Sequence, residues 1–163
     1  MGRPSGESRH RPRVWSPRGF RWLMSLYPPY LLGGVRMVAV ATDLRGCRVR
    51  VRHGLLNRNL NGTVFGGTLY SAADPIYAVL FWQIFAREGR AVRVWTRSAS
   101  VRFRAPVTTS IEYDFHIDDD VVDRARSALD ARGKFEQALH VAGVAPDGKV
   151  CVEIETVVHL AAR

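Results

Sequence analysis

Asn59, Gly66, Gly67 and Asp74 stand in residues 59–74, Asn-Leu-Asn-Gly-Thr-Val-Phe-Gly-Gly-Thr-Leu-Tyr-Ser-Ala-Ala-Asp, and their types and spacing suit acyl chemistry. The Gly-Gly pair follows a polar loop and precedes an apolar run that reads as a helix. Backbone N–H groups in the first turn of a helix lack an intrahelical acceptor and lie at the positive end of its dipole. Having no side chains, Gly66 and Gly67 let an acyl oxygen approach closely, as an oxyanion site needs. Asp74 comes seven residues after Gly67. That is about two turns at ~3.6 residues per turn, so the two can share one helix face. An electrophile beside a carboxylate is what thioester cleavage requires. Asn59 adds a side-chain amide that could hold a water or the thioester. A plainer reading stands beside this one. Asp74-Pro75 also makes an Asp N-cap with Pro at the first helical position, and Gly-Gly suits a tight turn.

In order and spacing, Asn59, Gly66, Gly67 and Asp74 resemble the hot-dog acyl-CoA thioesterases of the PaaI type, with Phe65 where those enzymes usually carry a histidine. Tyr27-Pro28-Pro29-Tyr30, Asn57-Arg58-Asn59, Phe65-Gly66-Gly67 and Asp74-Pro75 look closer still to a branch of that fold known mainly as a domain of unknown function. The resemblance runs from about residue 20 to residue 160. It implies an α+β hot-dog fold, a curved antiparallel sheet wrapped around a long helix. It also implies hydrolysis of an acyl-CoA or acyl-carrier thioester at a site between two subunits. By position, Gly66 with Gly67 beside it supplies the oxyanion donor from one subunit. Asp74 of the other is nucleophile or general base, Asn59 positions water or the thioester, and Thr96 assists the water. Phe65 removes any role for the histidine side chain and leaves the Gly66 N–H untouched. An apolar lining of Phe65, Tyr70, Tyr77 and Phe81 suits an aliphatic or aromatic acyl group, although core packing explains the last two equally well. Arg102 and Arg104, with Arg48 and Arg50, could bind the coenzyme A phosphates as charge-assisted donors. A solvated sheet face is the other account of such alternating arginines. The implied assembly is a homodimer, or a dimer of dimers, with no cofactor beyond the coenzyme A of the substrate. A non-catalytic acyl-thioester binding or regulatory module on the same fold is the alternative.

The elements that must hold these residues are legible in outline. Residues 19–31 read as a short amphipathic helix broken at Pro28-Pro29. Val35–Thr42 and Cys47–His53 read as a hairpin around Asp43-Leu44-Arg45-Gly46, and Arg48, Arg50 and Arg52 alternate with Val49 and Val51 to give one wet face. Thr68–Arg87 reads as a central helix, apolar on all sides and therefore buried on all sides. Pro75 leaves the Ser71 carbonyl without its usual donor, which predicts a bend or a division there. Val92–Arg104 and Thr109–Ile117 read as strands joined at Ala105-Pro106, and Phe135–Ala145 and Lys149–Leu160 as a hairpin around Pro146-Asp147-Gly148. Asp118-Asp119-Asp120 resembles half a metal site. Carboxylates at the start of the helix Val121–Ala131 account for it more simply.

The 163 residues are 47% hydrophobic and 24% charged, ordinary for one globular domain with a core. Net charge is +9, of which residues 1–21 carry +5 from six arginines against Glu7. The segment 1–17, rich in Arg, Pro, Ser and Gly, predicts a disordered basic tail ahead of a domain over 18–163. No nucleic-acid-binding motif accompanies the charge, so nucleic acid is not expected as a partner. The longest strongly apolar run, Ile76 to Trp82, is seven residues against the ~20 needed to span a bilayer. No membrane partner is expected, and a cytoplasmic location is. Cys47 and Cys151 lie far apart with no second ligand nearby, and the five histidines form no ligand pair, so neither a disulfide framework nor a metal site is indicated.

Overall fold

In the computed structural model, which describes residues 13–163, six antiparallel strands form one sheet in the order β1-β2-β4-β5-β6-β3. The strands are β1 Val35–Val40, β2 Gly46–Val51, β3 Val92–Phe103, β4 Ile111–His116, β5 Lys134–Val144 and β6 Val150–Ala162. Helices α1 Pro17–Leu26 and α2 Pro28–Leu32 precede the sheet, and α5 Asp119–Arg132 connects β4 to β5. The central helix comes in two pieces, α3 Gly66–Ala73 and α4 Ile76–Arg87. It begins two residues earlier than Thr68 and divides at Asp74-Pro75, because proline has no N–H to continue the ladder. Pro28 and Pro29, which end α1, open α2 at first-turn positions where a missing N–H costs nothing.

Side-chain alternation places the core. In β2, Cys47, Val49 and Val51 are buried under the central helix while Arg48 and Arg50 face out. Ile76, Leu80, Phe81 and Phe85 of α4 are all fully buried, as an apolar run must be. The expected turn at Asp147-Gly148 forms, with Gly148 at φ 83° and the Lys149 N–H donating to Asp147 Oδ1 at 3.0 Å. Asp118 is the N-cap of α5, and the described residues hold no cluster of metal-ligating side chains. One long connection could not be read from the sequence. β3 does not pair with β4, its neighbour in the chain, but crosses to the far edge beside β6.

The domain reaches back past residue 17, where a boundary was expected. Gln83, the one polar side chain on the buried faces of α4, is fully buried. Its Oε1 accepts from the Trp15 N–H at 2.8 Å and its Nε2 donates to the Arg13 carbonyl at 3.0 Å. The Trp15 ring lies edge-on to Trp82 at 5.0 Å and stacks on Phe20 at 5.8 Å. Ser16 Oγ caps α1 through the Gly19 N–H. The rest of the expected tail, residues 1–12, lies outside the described residues. Removing residues 1–17 leaves a buried amide unsatisfied at a cost of ~1–3 kcal/mol, so the melting temperature should fall by roughly 5 °C or more. An unchanged midpoint in a thermal scan would show that this segment contributes nothing.

Candidate active site

The loop from Gly54 to Phe65 delivers the chain to the start of α3. Asn59 makes the loop tight. Its Oδ1 accepts from the Asn61 and Thr63 N–H groups at 2.9 and 3.2 Å, and its Nδ2 donates to Thr63 Oγ1 at 2.9 Å. Both ends of the amide are thus engaged inside the loop, a local bonding pattern typical of Asn in turns. Phe65 is extended at φ −61°, ψ 131°, and Gly66 is the first residue of α3. Among the described residues neither the Gly66 nor the Gly67 N–H has an acceptor, as first-turn positions predict. Two exposed rings lie over the glycines. A β-carbon on Gly66 would stand 2.9 Å from the Phe103 ring, and one on Gly67 would collide with the Phe65 ring.

A cavity of ≈ 710 Å³ opens at this helix start, lined by Leu60, Val64, Phe65, Leu69, Phe103 and Val107, with Gly66 in its wall. Its chemistry is an apolar chamber with unpaired backbone donors at one point. Phe65 and Phe103 are 57% and 58% exposed, high for rings of their size.

Asp74 stands at the break between α3 and α4. Its backbone is helical, φ −47° and ψ −52°, so it is not the N-cap that the plainer reading made of it, and Pro75 holds the N-cap position without a side-chain bond. The carboxylate instead accepts from the Tyr70 hydroxyl at 2.8 Å on Oδ1, and among the described residues Oδ2 takes no bond. Burial first, then Asp74 beside it, pushes the Tyr70 phenol up to about 12, so it stays a proton donor at neutral pH. Carbonyls around the break are taken by hydroxyls. Tyr30 donates to Ala72 O at 2.6 Å, Tyr113 to Leu69 O at 3.0 Å and Thr96 to Asp74 O at 3.2 Å. Tyr30, fully buried, gives the Tyr-Pro-Pro-Tyr segment its purpose.

Within one chain the two halves of the chemistry do not meet. Gly66 and Asp74 lie at opposite ends of α3, about 12 Å apart at ~1.5 Å per residue, so sharing a helix face does not place an electrophile next to a carboxylate. Both ends abut the same strand. Thr96 of β3 touches Asp74, and Phe103 of β3 covers Gly66. An odd separation normally puts two strand residues on opposite faces. Here the register against β6 shifts between Thr96 and Ser98, and this bulge at Arg97 returns Thr96 and Phe103 to one face. β3 is an edge strand, and from Arg97 to Ser100 it is exposed on both faces.

Other expected contacts fall elsewhere. Arg48 and Arg50 pair across the strands with Asp114 and Glu112, so they belong to the solvated face of the sheet and not to a phosphate site. Arg104 lines the cavity, yet its guanidinium holds Glu153 at 2.9 and 2.7 Å. Arg102 lies in a groove on the outer face with Ser100, His140 and Glu155. Tyr77 and Phe81 are core residues, the Tyr77 hydroxyl donating to the His140 carbonyl at 2.7 Å. Phe103 went unnoticed as a site residue in the sequence, although a phenylalanine among exposed arginines on a strand was a signal.

The chain matches the family described as Domain of unknown function (DUF4442) over residues 17–160. Among solved structures it is similar to the protein PA5026 from Pseudomonas aeruginosa, described as a probable thioesterase, at 20% identity, with 93% of this chain and 99% of that chain covered and a TM-score of 0.83. It is similar to the thioesterase HI1161 from Haemophilus influenzae at 12% identity, with 93% and 94% covered and a TM-score of 0.68. The E. coli PaaI protein of the phenylacetic acid degradation operon matches at 11% identity, with 90% and 91% covered and a TM-score of 0.60. These likenesses carry the fold, a hot-dog. No curated protein matches the chain.

Proposed function

Because this chain belongs to the DUF4442 family and has the hot-dog fold, we propose that it hydrolyses an acyl-CoA or acyl-carrier thioester at a site completed by a second copy of itself. The observation that carries this reading is the placement of the unpaired Gly66 N–H and of Asp74 beside Phe103 and Thr96 of one exposed edge strand. If two β3 edges pair antiparallel about Ser100, with Arg97 left out of the ladder as it is against β6, Thr96 of one copy lies opposite Phe103 of the other. The carboxylate of one copy then approaches the helix start of the other. A long edge strand with both faces open is a template for such pairing. The described neighbours of the fold include thioesterases, which agrees with this chemistry.

In this reading the apolar cavity takes the acyl chain and the Gly66 N–H polarises the thioester carbonyl, with Gly67 allowing close approach. Asp74, oriented by Tyr70, removes a proton from water as general base. The hydroxide adds to the carbonyl, the oxyanion rests on the Gly66 N–H, and the carbon–sulfur bond breaks. The thiolate takes the proton back from Asp74, leaving a carboxylic acid and a thiol. Direct attack by Asp74, through an anhydride that water then cleaves, uses the same geometry. Thr96 holds the Asp74 backbone, and Asn59 acts by holding the loop that forms the cavity wall. Arg104, the cation in the cavity lining, would have to leave Glu153 to reach a coenzyme A phosphate. Arg102, on the outer face, is a candidate only for the distal phosphates.

Thiol release from a panel of acyl-CoAs tests the activity. Saturable binding without thiol release would identify a binding module instead. Light scattering tests the assembly, with the mass of a dimer or of twice a dimer expected. A stable monomer that hydrolyses thioesters would end the composite-site proposal.

A further inference from the structure

Helix α1 is apolar on two faces. Phe20 and Met24 pack into the core, while Trp22 and Leu26 point away from it, 61% and 59% exposed. A helix apolar on both sides needs two apolar partners, and the fold supplies one. A second open apolar group lies on α2, which follows α1 in the chain, and on the short 3-10 turn at Leu55–Asn57. There Leu31, Leu32, Leu55 and Leu56, all mostly exposed, line one shallow depression together with Arg52. Single exposed apolar side chains are ordinary, whereas four leucines around one depression with an arginine in its lining mark a contact surface.

Charge decides what it contacts. No Asp or Glu occurs between residues 8 and 42 or between 44 and 73, and Arg18, Arg21, Arg52 and Arg58 are exposed in these stretches. Among the described residues none of these four pairs with a carboxylate. A two-fold contact of this surface with itself would set arginines against arginines. Nucleic acid would answer the charge and leave the leucines and Trp22 uncovered. An anionic phospholipid surface answers both, with phosphates for the guanidinium groups and an acyl layer beneath for the apolar side chains. Trp22 and Tyr27, 61% and 47% exposed, are ring types that settle at headgroup level. We infer that α1, α2 and the 55–57 turn dock the protein on an anionic bilayer. It lies on the bilayer and does not cross it, since no helix among the described residues is long and apolar enough to span one. From the sequence alone no membrane partner is expected, and this proposal departs from that expectation. The inference stands apart from the hydrolytic reading and does not need it.

Flotation of the full chain with phosphatidylglycerol vesicles, against phosphatidylcholine vesicles, tests the surface. Binding to the first and not the second is expected, weakening as salt is raised. Replacing Leu31, Leu32, Leu55 and Leu56 together by Ser should lower the partition about tenfold or more, with the melting temperature unchanged because the four are exposed. If that variant folds poorly, Trp22→Ser with Leu26→Ser asks the same question from α1. Failure to float with phosphatidylglycerol would overturn the inference. So would a partition unchanged in the serine variants, which would assign binding to charge alone. A fall in scattering mass in those variants would make the surface an interface between copies, and would equally end the proposal.

Discussion

Asp74→Asn keeps the melting temperature of the parent chain and lowers thiol release from the preferred acyl-CoA by ~10²-fold or more, as for loss of a general base. The amide has the shape of the carboxylate, and its Oδ1 can still accept from the Tyr70 hydroxyl, now 2.8 Å away. The backbone at Asp74 is helical and its side chain bonds no backbone N–H among the described residues, so no cap is lost. What disappears is the basic oxygen. Acyl-CoA binding survives, because the amide keeps the shape of the carboxylate and part of its hydrogen bonding, and the apolar cavity wall is unchanged. A variant with parental stability and parental turnover would remove Asp74 from the chemistry. A large fall in melting temperature would instead make it a strut of the helix break.

Gly66→Pro should abolish turnover as severely while leaving the helix in place. Proline suits the first position of a helix, where its missing N–H has no intrahelical acceptor to lose. Phe65 before it is already extended at φ −61°, ψ 131°, as a residue preceding proline must be. The substitution removes little but the proposed oxyanion donor, and loss of one such donor costs ~10²–10³ in rate. It also adds a β-carbon 2.9 Å from the Phe103 ring, an exposed side chain with room to swing. Gly66→Ala adds the same β-carbon and keeps the N–H, so it should retain most of the activity that Gly66→Pro loses. Equal rates in the two variants would show that the cavity wall matters and the donor does not. Unfolding and refolding the Asp74→Asn and Gly66→Pro chains together should restore activity to about a quarter of the parent's, since half of the dimers are mixed and each holds one intact site. Each variant alone stays inactive. No recovery on mixing would place both residues in one subunit's site or in none.

The layout was legible where side-chain period and backbone chemistry agree. Arg48 and Arg50 alternating with Val49 and Val51 identified the wet and dry faces of β2, and Pro75 marked the division of the central helix. Asp74 was less legible, because Asp before Pro fits a cap as well as a site. Tyr70, one turn earlier, was the overlooked indicator, since residues four apart on a helix can touch. Packing of Arg13–Trp15 was hidden by a composition that reads as tail. Its sign was Gln83, a lone amide on an otherwise apolar stretch of helix, which had to find partners somewhere. The meeting of Gly66 and Phe103 was beyond local pattern altogether. It depends on β3 crossing to the sheet edge, and long-range strand order leaves no periodic trace in the strand itself.

The bulge at Arg97 constrains how β3 can change over descent. Substitutions can accumulate at its outward positions without disturbing the opposite face. Gain or loss of a single residue between Thr96 and Phe103 cannot, because it would turn one of the two away from the central helix while leaving the other in place. Lineages of this chain should therefore vary in the spelling of that stretch and keep its length, whereas the turn at Asp147-Gly148, which ties nothing to the cavity, is free to lengthen.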